Sequence, residues 1–140
     1  MLVHGFQGHC NDLRGLKNQI ALQHPYSLFL LSAANEDRTD DCILEMGERL
    51  AKEVKKYIIE FCPGINLAKL SFVGFSLGGL ITRAALPHLA QFKQKFHTYI
   101  SLSSPHLGYM YHSNSTKLFE TGMWLLKKLN KQKSLMQLYL

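Results

Sequence analysis

An α/β fold built on a parallel sheet is what this sequence predicts, and three observations predict it. Short apolar runs at residues 1–4, 27–31, 69–75 and 98–102 alternate with helical patterns at 11–23, 44–61 and 77–86. The runs lack polar alternation, as strands covered on both faces do. Strand-helix-strand succession calls for crossover connections, which leave neighbouring strands parallel. The chain has 140 residues, 46% hydrophobic and 19% charged, enough for one core and too apolar for a disordered chain.

The elements follow in order. Residues 1–4 resemble the end of a buried strand. Asn11 can cap a helix to about Gln23, with Leu13, Leu16 and Ile20 at helical spacing and Pro25 just beyond. Residues 27–31 form a second apolar strand, and 35–41 a polar, acidic loop. Met46, Leu50, Val54, Tyr57, Ile58 and Phe61 make one face of a long helix. Glu45 with Arg49 and Glu48 with Lys52 make i,i+4 pairs on the other face, and Pro63-Gly64 ends the helix. Residues 69–75 are a third strand. Residues 77–86 read as a helix apolar nearly all round, ended or kinked by Pro87. A fourth strand spans 98–102, and 117–140 is amphipathic, with Leu118, Trp124, Leu125, Leu129 and Leu135 among its apolar positions.

Composition excludes several classes. No apolar run approaches the ~20 residues of a membrane span; the longest, 26–34, is interrupted by Ser27 and Ser32. Residues 1–5 have neither the basic nor the apolar region of a signal peptide. Cys10, Cys42 and Cys62 are odd in number and form no CxxC, so they read as reduced thiols. These absences together place the expectation in the cytoplasm. The net charge of +6 comes with no nucleic-acid motif. Glu36, Asp37, Asp40 and Asp41 lack EF-hand spacing and its glycine, and read as a solvated loop. No metal and no cofactor is implied.

The chemical signal is Gly74-Phe75-Ser76-Leu77-Gly78, placed where a strand ends and a helix begins. A serine on such a sharp turn sits in strained backbone, with its hydroxyl pushed out of the sheet. Gly74 and Gly78 remove side chains that would collide as strand and helix close, and Gly79 extends the clearance. Ser76 is thereby the candidate nucleophile. Val3-His4-Gly5-Phe6-Gln7-Gly8 follows the first strand, and Gly5 and Gly8 let this loop fold back over the sheet. Acyl transfer needs two N–H donors for the oxyanion, and the backbone N–H groups of Phe6 and Leu77 are assigned to it.

His4-Gly5-Phe6-Gln7-Gly8, then Gly74-Phe75-Ser76-Leu77-Gly78-Gly79, then Ser103-Ser104-Pro105-His106-Leu107-Gly108 resembles the α/β-hydrolase superfamily. Within it the chain is similar to lipase-like serine esterases of a domain-of-unknown-function group. The resemblance implies that the four strands are numbers three to six of that fold, in spatial order four, three, five, six. It implies a carboxylic-ester or lipid-ester substrate. It also implies a triad in chain order serine, acid, histidine.

That triad cannot be completed here. After Ser76 the sequence holds Glu120 as its one acidic residue, and His88, His97, His106 and His112 all precede it. The expectation is therefore one partial hydrolase domain over residues 1–140, cut at both ends and nearly inactive alone, with the remainder of the domain as an expected partner. His106 follows a strand at the carboxyl edge shared with Ser76 and is the local alternative base; a loop-shaping role is the favoured reading. His4 reads as loop-fixing at the site edge, and Asp12 as an early-helix carboxylate rather than a triad acid. In lipase-like folds the region after strand six often forms a lid, which would fall at residues 113–140. There five lysines face one glutamate, so the segment either covers the sheet or contacts an anionic membrane surface. A rival reading is a non-catalytic hydrolase-like module that binds a protein or an anionic membrane.

Overall fold

The computed structural model describes residues 1–64, 66–108 and 137. The expected lid segment at 113–140, with His112 and Glu120, lies outside the described residues apart from Gln137.

Among the described residues three strands, β1 (Leu2–Val3), β2 (Leu70–Phe75) and β3 (Phe96–Leu102), form a sheet in the order β1-β2-β3. All pairings are parallel, with Leu2 opposite Val73 and Phe75 opposite Leu102. The alternation of apolar runs and helices had implied this arrangement.

The expected strand at 27–31 is reduced to a single parallel bridge, Leu2 with Leu31. Leu2 N–H donates to Leu30 O at 2.8 Å, and Ser32 N–H donates to Leu2 O at 2.9 Å. Of the two residues of β1, Leu2 alone bridges to this segment, while both pair with β2. The spatial order still runs from the Leu31 segment through β1 and β2 to β3, as the resemblance implied.

Among the described residues three α-helices cover the sheet: α1 (Arg14–Gln23), α2 (Ile43–Phe61) and α3 (Leu77–Ala85). The main core lies between the sheet and α2 and α3. Met46, Leu50 and Val54 of α2 meet Leu77, Ile81 and Ala85 of α3 over Val3, Leu70 and Phe72. The helical face read from sequence supplied those α2 residues. The helices approach closely because α2 carries Gly47, where a Cβ would stand 2.6 Å from Ala84 Cβ. On the opposite face, Leu13 and Leu16 pack with Leu2, Val73, Phe29 and Leu31.

The start of the first helix differs from expectation. His9, not Asn11, is the cap, and the first turn (Cys10–Leu13) is a 3₁₀ helix. His9 Nδ1 accepts the Asn11 N–H at 3.2 Å, and Asp12 Oδ2 accepts the His9 N–H at 2.9 Å. This reciprocal pair satisfies two end donors at once. Beyond α3, Pro87 stands in a 3₁₀ stretch (Leu86–Lys95) that bends at Leu89 (φ −107°, ψ 17°).

The acidic loop is more anchored than a solvated reading implies. Asn35 is buried; its Nδ2 donates to Met46 O at 3.1 Å and its Oδ1 accepts from Arg49 Nε at 2.8 Å. Asp41 pairs with both Arg38 and Arg49. Among the described residues no helix is long and apolar enough to cross a membrane.

Candidate functional site

The site is built where β2 ends. Ser76 is the residue between β2 and α3, with φ 51° and ψ −122°. A helix N-cap serine usually has extended backbone and accepts an N–H of the first turn with its hydroxyl. Ser76 does neither: its side chain makes no capping bond. Its backbone matches the first central position of a type II′ turn, a conformation that favours glycine.

The junction is tied down through its backbone. Ser76 N–H donates to Leu102 O at 2.8 Å, and Gly79 N–H donates to Ser76 O at 3.1 Å. Tyr99 of β3 donates its hydroxyl to Gly79 O at 2.8 Å. Close approach needs glycine here. A Cβ on Gly74 would lie 2.5 Å from Gly79 Cα, and one on Gly78 would overlap the Val3 carbonyl oxygen. The α3 N-terminus is thus packed directly on the carboxyl ends of β1 and β2. A Cβ on Gly79 would collide with Ser104 Oγ in the loop after β3.

Ser76 is half-buried and lines a cavity of about 280 Å³ with Gly5, Phe6, Gly8, Asp12, Leu13 and Phe75. The loop after β1 forms its far wall. A Cβ on Gly5 would stand 3.0 Å from Ser76 Cβ and 3.5 Å from Ser76 Oγ, so this loop lies directly over the hydroxyl. Gly8 N–H donates to Gly5 O at 3.1 Å, closing a turn in which Gln7 has φ 51°. His4 is buried and its Nδ1 donates to the same Gly5 O at 2.9 Å. Gln7 N–H donates to Thr39 Oγ1 at 2.9 Å. His4 therefore fixes the loop. Among the described residues, neither Phe6 N–H nor Leu77 N–H has an acceptor.

No histidine lines this cavity among the described residues, and Asp12 is its one carboxylate. Asp12 is held by the His9 N–H in the capping pair. His106 is engaged elsewhere. Arg83 Nη1 lies 3.1 Å from its Nδ1, and a guanidinium can only donate, so Nδ1 accepts. In the neutral ring Nε2 then carries the proton and donates to Ser101 Oγ at 2.6 Å. His97 is the second residue of β3, at the far end of the sheet, and meets Thr98.

One cluster escaped sequence reasoning. His9, Cys10 and Glu36 meet beside the cavity, although Cys10 and Glu36 are 26 positions apart. Cys10 N–H donates to Glu36 Oε1 at 2.5 Å. The hydrogen bond between the Cys10 thiol and Glu36 pushes the thiol above its ordinary pKa and holds the carboxyl below the usual carboxylate range. A polar loop and a lone cysteine gave no signal that they would meet.

Two comparisons with known proteins bear on the family and the fold. A family model described as "Putative serine esterase (DUF676)" matches residues 1–140. Among solved structures, the mature lipase BlEst2 of Bacillus licheniformis superposes with a TM-score of 0.62 at 19% identity. The match covers 99% of this chain and 53% of the lipase, so the chain spans about half the length of that protein. At this identity the likeness shows the fold alone.

Proposed function

The chain belongs to the family described as "Putative serine esterase (DUF676)", and from that premise we propose that it carries the nucleophile side of a carboxylic-ester hydrolase site. Ser76 is the nucleophile, and the Phe6 and Leu77 N–H groups are the oxyanion donors. The observation that carries this reading is the Ser76 junction: positive-φ backbone, a hydroxyl without a capping bond, and a cavity in front of it.

The roles follow from the geometry. Attack by Ser76 Oγ on an ester carbonyl places negative charge on the carbonyl oxygen. Leu77 N–H stands at the α3 N-terminus, where the helix dipole favours that charge. Phe6 N–H is the second donor, from the loop over the serine. Removing one such donor costs about 2.7–4 kcal/mol of transition-state stabilisation where it has been measured. Phe6, Leu13 and Phe75 make the cavity wall largely apolar, which suits an acyl or lipid-ester substrate. The base and the acid lie outside the described residues, because His106 is committed to Arg83 and Ser101.

The test separates nucleophile from base. A nucleophile without its base retains about 10³–10⁴-fold catalysis over water, set by oxyanion donors and binding. The 140-residue chain is expected to hydrolyse a short-chain nitrophenyl ester no faster than that. A longer polypeptide carrying this sequence with an acid and a histidine after it is expected to react with a fluorophosphonate at Ser76, and its Ser76→Ala variant not to react. Labelling that persists in Ser76→Ala overturns the nucleophile. Fast turnover by the 140-residue chain, abolished by Ser76→Ala, overturns the placement of the base.

A further inference from the structure

Two of the three donor-donor edges in the His9, Cys10 and Glu36 cluster match those of a metal site. His9 Nδ1 is 3.6 Å from Cys10 Sγ and 3.5 Å from Glu36 Oε1, and all three donor atoms lie within 4.8 Å of one another. A tetrahedral zinc ion has Zn–S of about 2.3 Å and Zn–N and Zn–O of about 2.0 Å, which sets N···S edges of about 3.6 Å and N···O edges of about 3.3 Å. The two measured edges fall within a few tenths of an ångström of that tetrahedron. His9 Nδ1 accepts an N–H from Asn11, so it carries a lone pair and not a proton; that lone pair serves the cap, and an ion binds there only by displacing the Asn11 N–H. The three donors come from two segments, the turn that walls the Ser76 cavity and the loop after Leu31. His9 is 59% exposed and Glu36 23%, so an ion has a path from solvent.

We propose that His9 Nδ1, Cys10 Sγ and Glu36 Oε1 bind one zinc-type divalent cation, with water in the fourth position. The donor set selects the ion: thiolate and imidazole favour Zn²⁺ or Co²⁺ over the hard ions Mg²⁺ and Ca²⁺. On binding, the Cys10 thiol releases its proton to solvent and the Asn11 N–H gives up Nδ1 to the ion. One dication then balances one thiolate and one carboxylate. No electron moves. The bound ion cross-links the 3₁₀ turn (Cys10–Leu13) to the acidic loop. It thereby holds the segment that carries Phe6, Gly8 and Asp12 on the cavity wall. This inference concerns metal affinity and stands whether or not Ser76 is a nucleophile.

Cobalt is the test, because its spectrum reports both thiolate ligation and coordination number. The reduced, metal-free 140-residue chain is titrated with Co²⁺, and the bound Co²⁺ is then displaced with Zn²⁺. The expected result is one Co²⁺ per chain, a thiolate charge-transfer band in the near ultraviolet, and visible bands of tetrahedral intensity. Cys10→Ser is expected to abolish the charge-transfer band. His9→Ala and Glu36→Gln are expected to weaken Zn²⁺ binding at least tenfold. Cys42→Ser and Cys62→Ser are expected to keep the wild-type spectrum, and far-ultraviolet circular dichroism checks that each variant is folded. No thiolate band in the wild-type chain, weak octahedral bands, or a band that survives Cys10→Ser overturns the site.

Discussion

Replacing Ser76 by glycine should make this protein more stable while removing its hydroxyl. The backbone at Ser76 (φ 51°, ψ −122°) lies where a side chain is strained and glycine is not. Such strain costs of order 1–3 kcal/mol. Against it stands the extra freedom glycine gives the unfolded chain, about 0.5–1 kcal/mol. No capping bond is lost, because the hydroxyl makes none. The half-buried side chain also buries little apolar area. The balance favours Ser76→Gly by about 1 kcal/mol, or ~3–4 °C in Tm for a chain of this size. Ser76→Ala keeps the Cβ and its strain, and should fall within about 0.5 kcal/mol of the parent. The assay is urea unfolding of the three proteins under one buffer, read as midpoint and slope. If Ser76→Gly is less stable than Ser76→Ala by more than about 1 kcal/mol, the junction stores no strain and the reasoning fails.

Two further outcomes follow from the same structure. Gly78→Ala should destabilise by about 1–3 kcal/mol despite a helix-propensity gain of up to about 1 kcal/mol, because its Cβ would meet the backbone oxygens of Val3 and His4; urea unfolding reads the sign, and a stabilised variant contradicts the packing. Burial holds the Tyr57 phenol above its ordinary pKa of 10. The unfolded chain therefore ionises first, and stability present below pH 10 should be lost as pH rises through the folded value. Tyr57→Phe should remove that alkaline loss, and an unchanged pH profile would show the phenol is not its source.

What the sequence disclosed was set by how local the encoding is. The long helix α2 was legible because Met46, Leu50, Val54 and Ile58 repeat on one face, and all four are buried. The turn at Ser76 was legible because the glycines flanking it have no other economical reason for that spacing. The bridge at Leu31 was not legible as such, since an apolar run does not say how many of its residues pair with a neighbour. The His9 cap was missed because imidazole is a rare cap and Asn11 a common one. His9, Cys10 and Glu36 meet only through tertiary folding, and nothing in a run of acidic residues announces a thiol partner. The commitment of His106 to Arg83 is equally non-local, 23 positions apart.

Under the proposed function, the backbone explains how a nucleophile is placed without its base nearby. Everything that aims Ser76 is made of main chain and glycine: the Ser76 N–H on Leu102 O, the contact of Gly74 with Gly79, and Gly78 against Val3. Those contacts lie between β1, β2, β3 and α3, and none needs a histidine. A base needs only to reach the same sheet edge by its side chain. His106 illustrates the cost of drafting a residue already there. Turning it toward Ser76 would break its bonds to Arg83 and Ser101, at about 0.5–1.5 kcal/mol for a neutral pair and about 1.5–3 kcal/mol where a charge takes part. The Arg83 guanidinium would also lose its acceptor. A histidine from a separate segment avoids both losses, so the energetics at this edge favour a base that arrives from elsewhere over one recruited from the loop after β3.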